Sequence, residues 1–287
     1  MHWTPRRERL RAVLAAKACV HPASVYDPVS ARVAAELGFE VGMFAGSVAS
    51  YAVLGDPDLI LLTLTEFAQQ AQRLGRASEL PLLADADHGY GNALNVKRTV
   101  EELETAGIAA LTIEDTLLPR PFGQAKTTLI SIEEGVGKMK AALAGRQDKS
   151  LVVCGRTLAL QLGDVEGCVA RCKAYEAAGV DALMLVGAKT RAQIEAVSSA
   201  VKLPLIIGGG GGPELTDKAW LAAHNVRIAL QGHQPFSAAL QAVYDTLKAL
   251  REGTPPSKLE RVASDETLKR FTRDAEHARM TKDWLGG

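Results

Sequence analysis

Asp85 and Asp87 stand one residue apart where an apolar run, Leu80 to Ala84, gives way to the turn His88-Gly89-Tyr90-Gly91-Asn92. Two carboxylates at the end of a strand can hold a hard divalent cation and leave waters on it to exchange. Residues i and i+2 of a strand face the same way, so both acids can point at one ion; the alternative is capping of a helix ahead of Asn92. A second pair, Glu114-Asp115, closes the run Ala109 to Ile113. Neighbours in a regular strand face opposite ways, so one of this pair can join the cation. Glu114, acting through water, is the candidate, against a surface salt bridge. Arg156 follows Leu151 to Cys154, and its planar fork suits a substrate carboxylate, or one of these acids.

Four further features are polar where the chain turns. Ser47, in Ala45-Gly46-Ser47-Val48-Ala49-Ser50, lies on a turn able to offer N–H groups and a hydroxyl to an anion. Nothing marks it as a nucleophile. His233, after Leu230-Gln231-Gly232, is a substrate contact or a buried histidine bonded to its neighbours, and His88 supports the acidic turn rather than reacting. The run Gly208 to Gly212 has no adjoining basic residue, so it reads as a loop rather than a phosphate cradle.

The elements that must hold these groups recur with regularity. Apolar runs at 18–24, 39–45, 81–86, 109–114, 151–156, 182–186, 203–207 and 226–230 read as eight strands. Helical stretches separate most of them. Thr63-x-x-Glu66 and Ser131-x-x-Glu134 form capping boxes and Asp164 caps the helix after strand five. Alternating strands and helices imply a parallel sheet, and eight units favour closure into a (β/α)₈ barrel. An open doubly wound sheet is the runner-up, but no G-x-G-x-x-G follows the first strand. In a barrel the polar residues named above, with Tyr26-Asp27, all fall at carboxyl ends of strands, where such folds keep their active sites. The barrel is assigned to 1–252. The polar tail 253–287 carries a Ser257-x-x-Glu260 box and a thin apolar stripe (Leu259, Val262, Leu268, Phe271) that needs a surface, this barrel or a neighbouring subunit.

Composition narrows the function classes. Thirty-three basic and thirty-three acidic side chains cancel and the basic ones are scattered, which leaves no nucleic-acid footprint. No apolar stretch reaches the roughly 18 residues of a membrane helix. The segment from Met1 to Lys17 reads as an amphipathic helix entering the fold, with a transit peptide as the lesser alternative. Cys19, Cys154, Cys168 and Cys172 lack zinc spacing and read as reduced core thiols, so the cytoplasm is expected.

Taken together, Gly46-Ser47, Asp85-Ala86-Asp87-His88-Gly89-Tyr90-Gly91-Asn92, Ile113-Glu114-Asp115 and Gly155-Arg156-Thr157 resemble the isocitrate lyase/phosphoenolpyruvate mutase superfamily. Within it, Gly46 to Ser50, Thr112 to Pro119 and Gly232-His233 are most similar to the bacterial oxaloacetate decarboxylase branch. The resemblance implies a barrel whose last helix swaps between paired subunits, usually in a homotetramer, with Mg²⁺ or Mn²⁺ and an α-keto acid substrate. It makes Asp85 the nearest metal ligand and puts Asp87 and Glu114 behind water. Gly46, Ser47, Arg156 and His233 become substrate contacts, Arg156 and His233 the catalytic pair. The implied reaction is metal-dependent decarboxylation of oxaloacetate to pyruvate through a stabilised enolate. The segment Thr116 to Gly123 lacks the cysteine of the superfamily's isocitrate-type lyases, which disfavours retro-aldol cleavage. Leu158 and Gly208 to Gly212 depart from the superfamily's polar pattern. Those departures leave two rivals: a lyase or hydrolase for a related keto or hydroxy acid (methylisocitrate lyase-like), and a barrel that binds a keto acid without turnover.

Overall fold

The computed structural model describes residues 2–209 and 211–286; Met1, Gly210 (part of the glycine run) and Gly287 lie outside the described residues. Eight parallel strands follow one another in chain order: β1 (Ala23–Ser24), β2 (Gly42–Phe44), β3 (Leu82–Asp85), β4 (Ala110–Glu114), β5 (Val152–Thr157), β6 (Ala182–Val186), β7 (Leu205–Gly208) and β8 (Val226–Ala229). The circle closes ahead of β1. Val20 N–H donates to the Arg227 carbonyl and Ala229 N–H to the Val20 carbonyl, both at 2.9 Å. This is the (β/α)₈ barrel that the alternation predicts. The first strand is shorter than the expected run 18–24, because Pro22 has no N–H to give to a ladder. Val20 makes an isolated bridge, and pairing resumes at Ala23.

Among the described residues the barrel unit has nine α-helices: α1 (Thr4–Ala15), α2 (Pro28–Glu36), α3 (Gly46–Val53), α4 (Leu64–Ala77), α5 (Ala93–Thr105), α6 (Ile132–Gly145), α7 (Val165–Ala178), α8 (Arg191–Ser198) and α9 (Lys218–Ala223). Their starts follow side-chain chemistry. Thr63 and Glu66 complete a reciprocal box on α4, Ser131 accepts from Glu134 N–H, and Asp164 accepts from Gly167 N–H at 2.7 Å. Such caps satisfy N–H groups that have no partner within the helix and are worth about 1 kcal/mol each. Asp27 is used in the same way, capping α2 through Ser30. Because helices cover the sheet, its strands are buried on both faces and read as continuous apolar runs. Leu82, Leu111, Val153, Leu183 and Ile207 belong to one core that continues into Phe67 and Leu74 of α4.

A second compact unit begins at His233. It contains α10 (Gln234–Arg251), a 3₁₀ turn at Pro256–Lys258, α11 (Asp265–Thr272) and α12 (Asp274–Leu285). The box expected at Ser257 does not form, since the residues around it make the 3₁₀ turn. Ser264 caps α11 instead, accepting from Thr267 N–H, with Asp265 and Glu266 in the first turn where the helix dipole favours them. α10 has no buried residue and exposes Leu240, Val243, Tyr244 and Leu247 at helical spacing. Among the described residues no helix is long and apolar enough to cross a membrane.

Candidate active site

Three adjacent strands bring the chemistry together. Asp85 and Glu114 are the last residues of β3 and β4, and Glu114 lies in register with Arg156 of β5. Arg156 reaches across both: Nη1 touches Asp85 Oδ1, and Nη2 lies 2.9 Å from Glu114 Oε2. Both are charge contacts, since Arg156 Nη1 and Glu114 Oε2 have no aligned hydrogen-bond partner. Of the two roles the sequence leaves open for Arg156, partner to the acids is the one seen. Burial works against its charge, but Asp85, Glu114 and Asp87 together push its pKa further up.

Asp87 arrives by a route that strand alternation does not supply. β3 ends at Asp85, and Asp87 has φ +48, in the left-handed region that non-glycine residues seldom occupy. Its N–H donates to Asp85 Oδ1 at 3.1 Å, and its carbonyl accepts from Glu114 N–H at 2.8 Å. Its carboxylate lies over the first turn of α3, so close that a Cβ on Gly46 would sit 3.1 Å from Oδ1 and 3.3 Å from Oδ2. Gly46 is therefore a matter of space. Helix capping by Asp85 or Asp87 is not seen: Asn92 caps α5, accepting from Leu94 and Asn95 N–H.

Charge is unevenly matched here. Burial raises the pKa of Asp87 well above the usual carboxylate range, and Asp85, Glu114 and Asp58 raise it further, against Arg156. Glu114 is also raised, by burial first, with Arg156 opposing. Asp58 was not singled out in the sequence. It sits in Gly55-Asp56-Pro57-Asp58 between α3 and α4, on a largely exposed residue, yet burial and the charge of Asp85 raise its pKa. An acid in the loop after the second strand was the available signal. The Tyr90 hydroxyl, buried and without an aligned partner, feels Asp87, Asp85 and Asp58 and is likewise raised, mainly by burial.

Such a set suits a hard divalent cation: oxygen donors only, desolvated, and short of positive charge. Among the described residues no three acids, histidines or cysteines gather closely enough to ligate one ion directly. That spacing agrees with an ion that keeps several waters and takes one or two carboxylates. Asp115 points elsewhere, fully buried and bound by Arg171 Nη1 at 3.1 Å and the Tyr175 hydroxyl at 3.0 Å. Ser47 is half-buried in the first turn of α3, where helix N–H groups lack helical partners. His88 is buried and its Nδ1 has no partner; burial, then Lys138, lowers its pKa to about 4. His233 belongs to the second unit, where it precedes α10 as its N-cap residue.

The departures have local explanations. Leu158 is buried, and its N–H leans on Asp115 Oδ1 at 3.4 Å. At Gly208 a Cβ would lie 2.5 Å from Met184 Cε, so the methionine of β6 fills the space a side chain would take. The segment after β4 is pinned at its base, where Leu117 N–H donates to the Thr128 carbonyl, and is exposed beyond it.

With this geometry in hand, known proteins are informative. The model of the family described as phosphoenolpyruvate phosphomutase matches residues 10–251. A protein of Bradyrhizobium diazoefficiens named oxaloacetate decarboxylase is 59% identical over 286 residues, covering 100% of this chain and 99% of that one. A protein of the same name from Rhodopseudomonas palustris is 58% identical over the same shares. Among solved structures, phosphonopyruvate hydrolase complexed with oxalate and Mg²⁺ superposes with a TM-score of 0.87 at 29% identity, over 98% of this chain and 99% of that one. The barrel, the acidic turn after β3 and the match over most of the chain converge: the chain belongs to the phosphoenolpyruvate phosphomutase family.

Proposed function

We propose that this chain decarboxylates oxaloacetate to pyruvate and CO₂ with the help of a divalent cation, Mg²⁺ or Mn²⁺. The observation that carries the substrate is identity of 59% along the whole chain to a protein named oxaloacetate decarboxylase. The cluster of Asp85, Asp87 and Glu114, with Asp87 and Glu114 raised in pKa by burial and a single guanidinium against Asp85 and Glu114, supports the cation. Asp85 would hold it nearest, with Asp87 and Glu114 through water. A bound cation supplies Lewis-acid stabilisation to the enolate that develops as the C3–C4 bond breaks.

The chain's own groups do the rest. Arg156 exchanges one of its acid contacts for the substrate carboxylate, to which its fork is matched. The N–H groups of the first turn of α3, at Gly46 and Ser47, face developing negative charge and stabilise it without reorganising. The electron pair of the broken bond stays on the enolate as CO₂ leaves. A proton from water then completes pyruvate at C3, so no general base is needed. The resemblance also gives His233 a substrate contact, and in this reading His233→Ala raises KM or lowers kcat. The exposed stripe of α10 is covered by a second copy in a helix-swapped homotetramer, in the cytoplasm.

The test is pyruvate formation from oxaloacetate with Mg²⁺, beside an Asp85→Ala protein and a metal-only blank, because free cations decarboxylate this substrate unaided. The parent is expected to exceed the blank by a wide margin. Asp85→Ala is expected to lose roughly 10³-fold in kcat/KM, the equivalent of several kcal/mol of charge stabilisation. Blank-level rates from the parent would overturn the reading.

A further inference from the structure

The turn that carries Asp87 has a backbone that side chains seldom tolerate. Asp87 and Tyr90 have φ of +48° and +58°, and Gly89 and Gly91 lie at +80° and +148°. Conformations of this kind are costly for non-glycine residues and persist only where the surroundings over-determine them. Here three successive carbonyls are each held from a different element. The Asp87 carbonyl accepts from Glu114 N–H of β4 at 2.8 Å, that of His88 from Lys138 Nζ of α6 at 2.9 Å, and that of Gly89 from Thr99 Oγ1 of α5 at 3.0 Å.

Two of these donors are side chains with no other evident task. Thr99 is fully buried and Lys138 is 3% exposed. Lys138 makes no ion pair among the described residues, so its desolvation is not offset by a contacting counter-ion. Burial lowers its pKa, and the acids that face it at longer range, Glu134 on its own helix, Glu114 at the end of β4 and Asp115 just after it, raise it. A leucine or methionine would fill that space at less cost. What the ammonium adds is a charge-assisted bond to the carbonyl of the residue that follows Asp87.

We infer that Lys138 and Thr99 are positioning residues, holding the His88 and Gly89 carbonyls so that the Asp87 carboxylate stays beside Asp85 and Glu114. The inference rests on the cation reading above and adds to it the parts that keep the third carboxylate in place. Residues that orient ligands from behind typically change metal affinity by roughly 10–100-fold. Neither side chain touches substrate, so the rate at saturating metal is left close to that of the parent.

The experiment is Mn²⁺ binding to the full chain by electron paramagnetic resonance, with the metal dependence of turnover measured beside it. Lys138→Met and Thr99→Val are each expected to weaken Mn²⁺ by roughly tenfold or more, and to raise the Mn²⁺ needed for half-maximal rate in step. kcat at saturating Mn²⁺ stays within about twofold of the parent, and Thr99→Ser, which keeps the hydroxyl, restores affinity. Thr99→Val preserves volume, so the valine and serine pair decides the matter if Lys138→Met does not fold. Folded Thr99→Val binding Mn²⁺ as tightly as the parent would overturn the inference and leave the decarboxylase reading standing. A parent that binds no Mn²⁺ would overturn the cation reading and this inference with it.

Discussion

The two ends of the barrel use the same kinds of side chain to opposite effect. At the amino end, α1 lays Arg7 onto the Ile108 carbonyl at 3.0 Å, the Glu104 carbonyl at 2.6 Å and Asp148 at 2.8 Å. Asp148 also accepts from Thr4 and from Ser150, and Asp181 is held by Arg11, Arg146 and the Val153 N–H. At the carboxyl end, Asp85 and Glu114 share one arginine, Asp87 has no ion pair among the described residues, and Glu114 Oε2 and Arg156 Nε have no aligned partner. Matched charges tie the first helix to the loops below the strands. Unmatched ones are what a cation and an anionic substrate can complete. The two places differ in desolvation as well as in donors per carboxylate: the Glu114 side chain is 4% exposed and that of Asp148 24%.

The contrast can be broken from either side. The largest effect is expected at the amino end. Arg7→Met leaves Glu104 and Asp148 without their common donor, and breaking a buried pair in this way costs about 3–5 kcal/mol. Urea unfolding should show it, while kcat/KM of the folded protein stays at the parent value. Gly46→Ala should do the reverse. The new methyl crowds the Asp87 carboxylate, and a displacement of a few tenths of an ångström is expected to lower kcat/KM roughly tenfold with the urea midpoint kept or raised.

Smaller effects carry signs that sharpen the comparison. Asp87 has a raised folded-state pKa, so its contribution to stability is fully present below its unfolded value of about 4 and is lost as pH rises toward the folded one. In chelator at neutral pH, Asp87→Asn should therefore raise stability by about 1 kcal/mol, the gain fading near pH 4, while turnover is lost. Asp148 behaves oppositely. Burial raises its pKa, but hydrogen bonds from Ser150, Thr4 and Arg7 win and hold it well below the usual range. Its contribution is present above about pH 4 and lost as pH falls toward the folded value. Asp148→Asn should lower the melting temperature at pH 7, by the equivalent of about 1 kcal/mol or less, and approach the parent in strong acid. A melting difference that grew on acidification would show that the amino-end carboxylate is not better satisfied in the folded protein than in the unfolded one.

Much of the barrel was legible because its signals are local. The eight apolar runs, the caps at Thr63, Ser131 and Asp164, and the acidic turn at 85–92 depend on residues within about eight positions of one another. The errors are local too: Pro22 shortened β1, and a 3₁₀ turn displaced the tail's helix start from Ser257 to Ser264. Glu114 and Asp115 were separable in advance, since neighbours in a strand face opposite ways.

From the sequence alone came the strand–helix alternation, the types of residue at the carboxyl ends, and the acids that suit a hard cation. Only the tertiary structure decided which groups meet. Asp87 reaches the cluster through a left-handed backbone, Asp58 joins it from the loop ahead of α4, Arg156 bridges two strands, and Lys138 crosses fifty positions to a carbonyl. The reason is physical: caps and periodicity act over a few residues of chain. Charge and desolvation act over ångströms of space, and that space exists once the strands have closed.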